Sequence, residues 1–153
     1  MTSPADRGKQ AEKEVKKILT KLSLRSDTAF IRLPDARAGS YQTALCDFQL
    51  LYQGTLYLLE VKETKHNYRL PHGNYSHDQV ARMRRWQLAG AEAHVLIYHT
   101  ELNKWRTAPV DYFLDRTGGS WDLRDLDLME LDQILKEGKF NETQTQTANK
   151  TPP

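Results

Sequence analysis

The stretch LLEVKETK, from Leu58 to Lys65, ends an apolar run with a glutamate and a lysine two residues apart. Asp47 lies upstream of Glu60 with twelve residues between them. Two carboxylates are hard oxygen donors, the kind that suits magnesium or manganese, ions that keep several waters and accept phosphate oxygens. Such an ion can acidify a water and neutralise charge on a phosphate during displacement. Lys62 can then orient the nucleophile or stabilise developing negative charge. The residues alone also allow a blander arrangement, in which Lys62 neutralises the acids in a partly exposed ionic ladder.

That chemistry needs elements that bring the groups together. LCDFQLLYQ (45–53) and TLYLLEVKE (55–63) read as strands around Gln53-Gly54, a tight-turn pair. If Tyr52 faces Thr55, facing residues sum to 107, and Asp47 stands opposite Glu60. Lys62 shares that face, because side chains alternate with a period of two. The same alternation sends Cys46 to the opposite face as a packed thiol rather than a nucleophile.

Ahead of the hairpin, Ser3-Pro4 with Asp6 resembles a helix start, and Ala11, Val15, Ile18, Leu19 and Leu22 recur at helical spacing. This predicts a helix over 4–22 with Gly8 and Glu12 along one border of its apolar stripe. AFIRL (29–33) reads as a short strand and 34–43 as a loop. After the hairpin come a loop at 66–75 and a capping box at Ser76–Gln79. The cap opens a helix over 77–89 that Gly90 ends. Strands follow at 92–99, continuous enough in apolar residues to be central, and at 103–108. Short helices are expected within 109–115 and 127–137. The predicted class is α/β, a mixed central sheet flanked by helices, in one domain over 1–137. A polar tail, 138–153, is expected to be disordered.

The chain has 153 residues, 39% hydrophobic and 27% charged, with a net charge of +2. Its one cysteine excludes an internal disulfide framework and a multi-cysteine zinc site. No apolar run approaches the roughly 18 residues of a membrane span. The N-terminal stretch lacks the apolar segment of a secretory leader, so a cytoplasmic location is expected and no membrane partner. From Lys62 to Arg85 six Lys/Arg face two acids, and from Asp111 to Glu137 eight acids face three basic residues. Charge alone fits a polyanion footprint and solvated helix faces equally well.

Asp47, Glu60-Val61-Lys62 and Glu12 on the preceding helix together resemble the PD-(D/E)XK nuclease signature. Within that superfamily the chain resembles Holliday junction resolvases in two places. RLPDARAGSYQTALCDF (32–48) and the hairpin after it resemble archaeal cellular resolvases, in which an arginine and a Gly-Ser pair precede the metal aspartate. RGKQAE (7–12) and EVKETKHNYRLPHGNYSHDQVARM (60–83) resemble the bacterial RecU resolvases and their phage relatives. The combined likeness spans about residues 7–100.

The resemblance implies a restriction-endonuclease-like αβββαβ core. It makes Glu12, Asp47 and Glu60 metal-site acids, the Val61 carbonyl a further ligand and Lys62 the catalytic lysine. Ser40 matches a serine near the scissile phosphate, although a plain turn role beside Gly39 reads equally well. Gln79 matches a helix glutamine of the RecU pattern, although a pure cap partner for Ser76 fits the residues too. Arg37, Lys65, Arg69, His72, Gln79, Arg82 and Arg85 are the expected DNA contacts. Glu14 remains the alternative helix charge to Glu12.

The implied activity is a magnesium-dependent endonuclease, with manganese able to substitute. It makes paired cuts in a four-way DNA junction as a homodimer and leaves 5′-phosphate and 3′-hydroxyl ends. The alternatives are a nuclease of branched DNA without junction preference, and a non-catalytic DNA-binding module. Two features depart from the RecU pattern. Cysteine stands at 46 where threonine is common, and the segment from Leu33 to Asp47 is short for a junction-inserting stalk, which favours a flatter binding surface.

Overall fold

The computed structural model describes residues 4–34 and 45–136, with side chains from Gln10 onward. Helix α1 (Pro4–Leu22) leads into the edge strand β1 (Thr28–Arg32). The hairpin is β2 (Phe48–Tyr52) and β3 (Thr55–Thr64), followed by β4 (Arg69–Pro71) and helix α2 (His77–Leu88). The chain continues through β5 (Glu92–His99), β6 (Lys104–Pro109), β7 (Ser120–Asp122) and the short α3 (Leu131–Leu135). The expected αβββαβ order is present, and the main sheet runs β1-β2-β3-β5-β6. β3 and β5 are parallel and the other neighbours antiparallel, so the sheet is mixed.

The hairpin turn forms where Gln53-Gly54 predicts it. Both residues have positive φ, 50° and 83°, as a two-residue turn matched to strand twist requires. Tyr52 faces Thr55 and the ladder follows the sum of 107 as far as Phe48 opposite Leu59. There it stops. The Asp47 amide donates to the Leu59 carbonyl at 3.1 Å, one residue out of register, so the strand bends before Asp47 instead of continuing to Leu45.

This offset corrects the reading of Cys46. Its side chain packs with Leu58, Tyr75 and Met83 on the sheet face that carries Glu60, not on the opposite one. It is nonetheless a packed thiol: it is buried, donates to the Phe48 carbonyl, and burial pushes it up to about 12.

Two apolar layers sandwich the sheet. Ala11, Val15, Ile18 and Leu19 lie on one stripe of α1 and pack, with α3, against Phe48, Leu50, Tyr57, Leu59 and Val61. On the other face Leu58, Val95 and Ile97 meet Val80 and Met83 of α2, with Val110, Phe113 and Trp121 beyond. Burying each such side chain is worth about 1.5–3 kcal/mol. β5 is central, as its apolar run predicts, between β3 and β6.

Two readings change and one holds. The loop at 66–75 contains β4 and a 3-10 turn, His72–Asn74, and β4 pairs with β7, for which the sequence carries no recognisable strand pattern. The short helices expected within 109–115 and 127–137 are present, the first as a 3-10 helix, Val110–Phe113, and the second as the five residues of α3. The first strand sits at 28–32 rather than 29–33. The tail and the 34–43 loop lie, apart from Pro34, outside the described residues.

Candidate active site

The bend before β2 brings Asp47 to β3 by its side chain rather than by the ladder. Its Oδ2 accepts the Val61 amide at 2.7 Å. Its carboxyl also lies within hydrogen-bonding reach of Glu60. Burial raises the Asp47 pKa first and the Glu60 charge adds to it; the Val61 amide and the Arg32 charge pull the other way. The balance moves it from an ordinary 3.8 to about 7, so the Asp47 carboxyl keeps its proton up to near neutrality.

Glu60 and Lys62 are successive residues on one face of β3. The Lys62 ammonium lies 3.2 Å from Glu60 Oε2, with side chains 14% and 7% exposed. It also sits over the ring of Tyr75, 5.0 Å from the centroid.

Arg32 joins this pair to helix α1. Its guanidinium donates to Glu12 Oε2 at 2.8 Å and to the Asp47 carbonyl at 3.2 Å, and it also donates to the Leu33 carbonyl. The Asp47 carboxylate lies 3.7 Å away. Glu12, rather than Glu14, is therefore the helix acid tied to the site. The sequence reading gave Arg32 no role of its own. The available signal was the strand's burial: Thr28, Phe30 and Arg32 face inward while Ala29 and Ile31 are exposed. An arginine at an inward position of a strand needs acceptors, and here Glu12 and the Leu33 and Asp47 carbonyls are among them.

Among the described residues, no three acidic, histidine or cysteine side chains converge into a ready metal cage. Asp47 and Glu60 are side by side; Glu12 reaches them through Arg32. Two adjacent carboxyls, of which Asp47 is held protonated towards neutrality by burial and by the charge of Glu60, are a donor set that a hard divalent cation fits, because the cation can take the proton's place. Val61 contributes its amide to Asp47.

The expected DNA contacts fall into groups. Lys65 and Arg69 are exposed on the segment after β3, and Arg82 and Arg85 are exposed on α2. His72 is packed rather than presented, its ring 4.3 Å from that of Trp121. Gln79 closes a capping box: its amide N–H donates to Ser76 Oγ, and its Oε1 accepts the Ser76 amide at 3.1 Å. Ser40 and Arg37 lie outside the described residues. Two other histidines are structural. His99 donates from Nδ1 to the His66 carbonyl and accepts from buried Arg106 at Nε2, while His94 is fully buried. Arg106 also donates to the Asn67 carbonyl, which ties down the chain just beyond β3.

In overall shape the protein is similar to the Holliday junction resolvase Hjc of the archaeal hyperthermophile Archaeoglobus fulgidus, with a TM-score of 0.59 and 22% identity. The match covers 83% of this chain and 98% of that one, and at such identity it establishes the fold, restriction-endonuclease-like. A bacterial homing endonuclease, I-Ssp6803I, matches at 18% identity over 80% of this chain and 76% of its own, with a TM-score of 0.46. No curated protein sequence matches at a significant level. The profile of one family, described as Recombination protein U, matches residues 9–142. With that span, the chain belongs to the RecU family.

Proposed function

We propose that the protein is a metal-dependent, structure-selective DNA endonuclease that resolves four-way junctions by hydrolysing one phosphodiester in each of two strands. The observation that carries this reading is the Asp47–Glu60–Lys62 group: two carboxyls sharing a buried site with an ammonium 3.2 Å from one of them. A binding module has no use for that costly arrangement, whereas phosphodiester hydrolysis does. Membership in the RecU family and the fold it shares with an archaeal resolvase support the choice of substrate.

Magnesium is the proposed ion, with manganese able to replace it. Asp47 and Glu60 would hold it, aided by the Val61 carbonyl and by Glu12 across Arg32. Bound there, it would supply Lewis-acid activation of a water and of the phosphate. The chain's own groups do the rest. Lys62 presents a positive charge beside Glu60, where it stabilises negative charge on the phosphate oxygens. Arg32 fixes the backbone on both sides of the Leu33–Asp47 approach through its two carbonyl contacts, so Asp47 stays aimed at β3. Ser40 is proposed to lie near the scissile phosphate. Lys65, Arg69, Arg82 and Arg85, with Arg37, His72 and Gln79, are proposed as contacts that position the duplex arms without reading sequence. Paired cuts need two sites related by a two-fold axis, so the working unit is proposed to be a homodimer.

The test is incubation of purified protein with a four-way junction and a matched linear duplex, with and without magnesium. Symmetric nicks in the junction alone, only with the metal, are expected. Equal cutting of both substrates would replace the resolvase reading with a nuclease lacking junction preference. Absence of cleavage with either magnesium or manganese, in folded protein, would overturn enzymatic function altogether.

A further inference from the structure

The ammonium of Lys62 is almost enclosed, yet among the described residues it has only two contacts: Glu60 and the face of Tyr75. A lysine has three donors, and a nearly buried one usually meets several acceptors. Here one side of the ammonium rests on an aromatic ring.

The ring itself is held firmly. Tyr75 is fully buried, and its hydroxyl donates to Met83 Sδ on α2 at 2.9 Å. Phe113 and Trp121 meet it edge to face, with centroid distances of 5.5 and 6.4 Å. Its carbonyl accepts Arg116 at 2.9 Å, while the same guanidinium holds the His72 carbonyl at 3.0 Å and lies over Trp121. The capping box of α2 begins at the next residue, Ser76. Burial also raises the phenol's pKa far above its usual range, so Tyr75 stays neutral and serves by its face rather than by its proton.

We propose that Tyr75 is the positioning residue for Lys62: its ring face holds the ammonium over the site through a cation–π contact. The inference rests on the junction-cleaving reading only for its consequence, since the contact itself belongs to the protein alone. Its importance lies in what Glu60 must do. When Glu60 gives its oxygens to a cation, the ion pair with Lys62 weakens, and an unheld lysine would swing away or fold back onto the acid. The ring attracts the ammonium without competing for the cation's place among the carboxylates. It therefore keeps Lys62 aimed where the acids alone would not. Arg116 and Met83 act one step further out, by fixing the ring.

The experiment replaces Tyr75 with phenylalanine and then with mono-, di- and trifluorinated phenylalanine in the full chain. Fluorine drains electron density from the ring face with little change in shape, so a purely packing role would leave every member alike. Two readouts are taken: single-turnover cleavage of the junction with saturating magnesium, and the rate at which Lys62 is acylated by an amine-reactive ester in metal-free protein, followed by mass spectrometry. Tyr75→Phe, which keeps the ring face and loses only the hydroxyl's bond to Met83, is the reference against which the fluorinated rings are read. Along the fluorinated series cleavage should fall stepwise, by about tenfold at the trifluorinated ring, with substrate binding unchanged. Lys62 acylation should rise in the same order. A flat acylation series, or a flat cleavage series in protein that cuts, would overturn the proposal. If the wild type cuts nothing, the functional reading falls while the acylation series still decides the contact.

Discussion

Two ion pairs meet at one end of the sheet and are built in different ways. Glu60 and Lys62 stand on β3, which has hydrogen-bonded neighbours on both sides, and their side chains are 7% and 14% exposed. Glu12 and Arg32 join a helix to the edge strand β1, with side chains 27% and 24% exposed. Beside the central pair, Asp47 is held against Glu60 by its hydrogen bond from the Val61 amide, so the two like charges cannot drift apart to relieve their repulsion. The edge pair is fixed by side-chain hydrogen bonds and can re-form around a new partner. The central group therefore stores electrostatic cost, visible in the raised pKa of Asp47, and the edge group does not. A site of this kind holds unfavourable charge ready for a cation in its rigid half and adjusts through its exposed half.

The largest expected effect removes the stored cost. Asp47→Asn should lower junction cleavage by at least about a thousandfold, by loss of a donor that no neighbour replaces. The same change should stabilise the fold at alkaline pH. In the folded protein the Asp47 pKa is raised from 3.8 to about 7, so between those values the folded state binds more protons than the unfolded one. Stability then falls as pH rises through that window and is not recovered above it. The ceiling, from the rise of 3.8 to about 7, is about 4 kcal/mol. Melting curves without divalent ions should show Asp47→Asn more stable than the wild type at pH 8, with the gap closing towards pH 4. Magnesium should raise the wild-type midpoint and leave that of the variant unchanged. A variant that melts lower at pH 8 would mean that the central group stores no charge repulsion.

A smaller effect is expected at the edge pair, with the opposite sign on stability. Arg32 serves two carbonyls and a carboxylate with one planar fork, which a lysine cannot do. Arg32→Lys should therefore cost about 1–3 kcal/mol by chemical denaturation and lower single-turnover cleavage by about tenfold or more. Full stability and full activity in Arg32→Lys would reduce the pair to an exposed charge contact of little worth.

The sequence showed the central half better than the edge half, and the reason is physical. A strand with a period of two and a turn of two residues leave only one register, so Glu60, Lys62 and the approach of Asp47 follow from counting. What counting cannot see is a bulge. The Asp47 amide shifts to Leu59, which costs the ladder its predicted pairs from Asp47–Glu60 onward and turns Cys46 to the other face. Arg32 escaped for a different reason: its acceptors are backbone carbonyls at Leu33 and Asp47, which have no residue-type signature. The β4–β7 pair escaped because three residues are too few to show alternation, and RLP and SWD pair only across 48 intervening residues. The long elements, α1, α2 and β5, were legible because burial of one face dictates their pattern over many residues.

The smallest effect tests whether the rigid half extends into α2, where Gln79 has two uses for one side chain. Its Oε1 is taken by the backbone amide and hydroxyl of Ser76, so the carbonyl end belongs to the helix cap. Among the described residues its Nε2 donors meet no acceptor, and the residue is only partly buried, so the amino end can face a phosphate. Gln79→Glu separates the two ends. A glutamate at the third helical position keeps the capping box and suits the positive end of the helix dipole, so stability should be unchanged or higher by a few tenths of a kcal/mol, roughly. It removes both donors and sets a negative charge where the phosphate would lie. Junction affinity at low salt should then drop by about three- to tenfold, and the penalty should shrink as salt rises, because screening weakens repulsion between the carboxylate and DNA. Gel-shift titrations of wild type and Gln79→Glu at two salt concentrations measure both. Equal affinity at low salt would leave Gln79 as a cap alone and remove it from the DNA contacts.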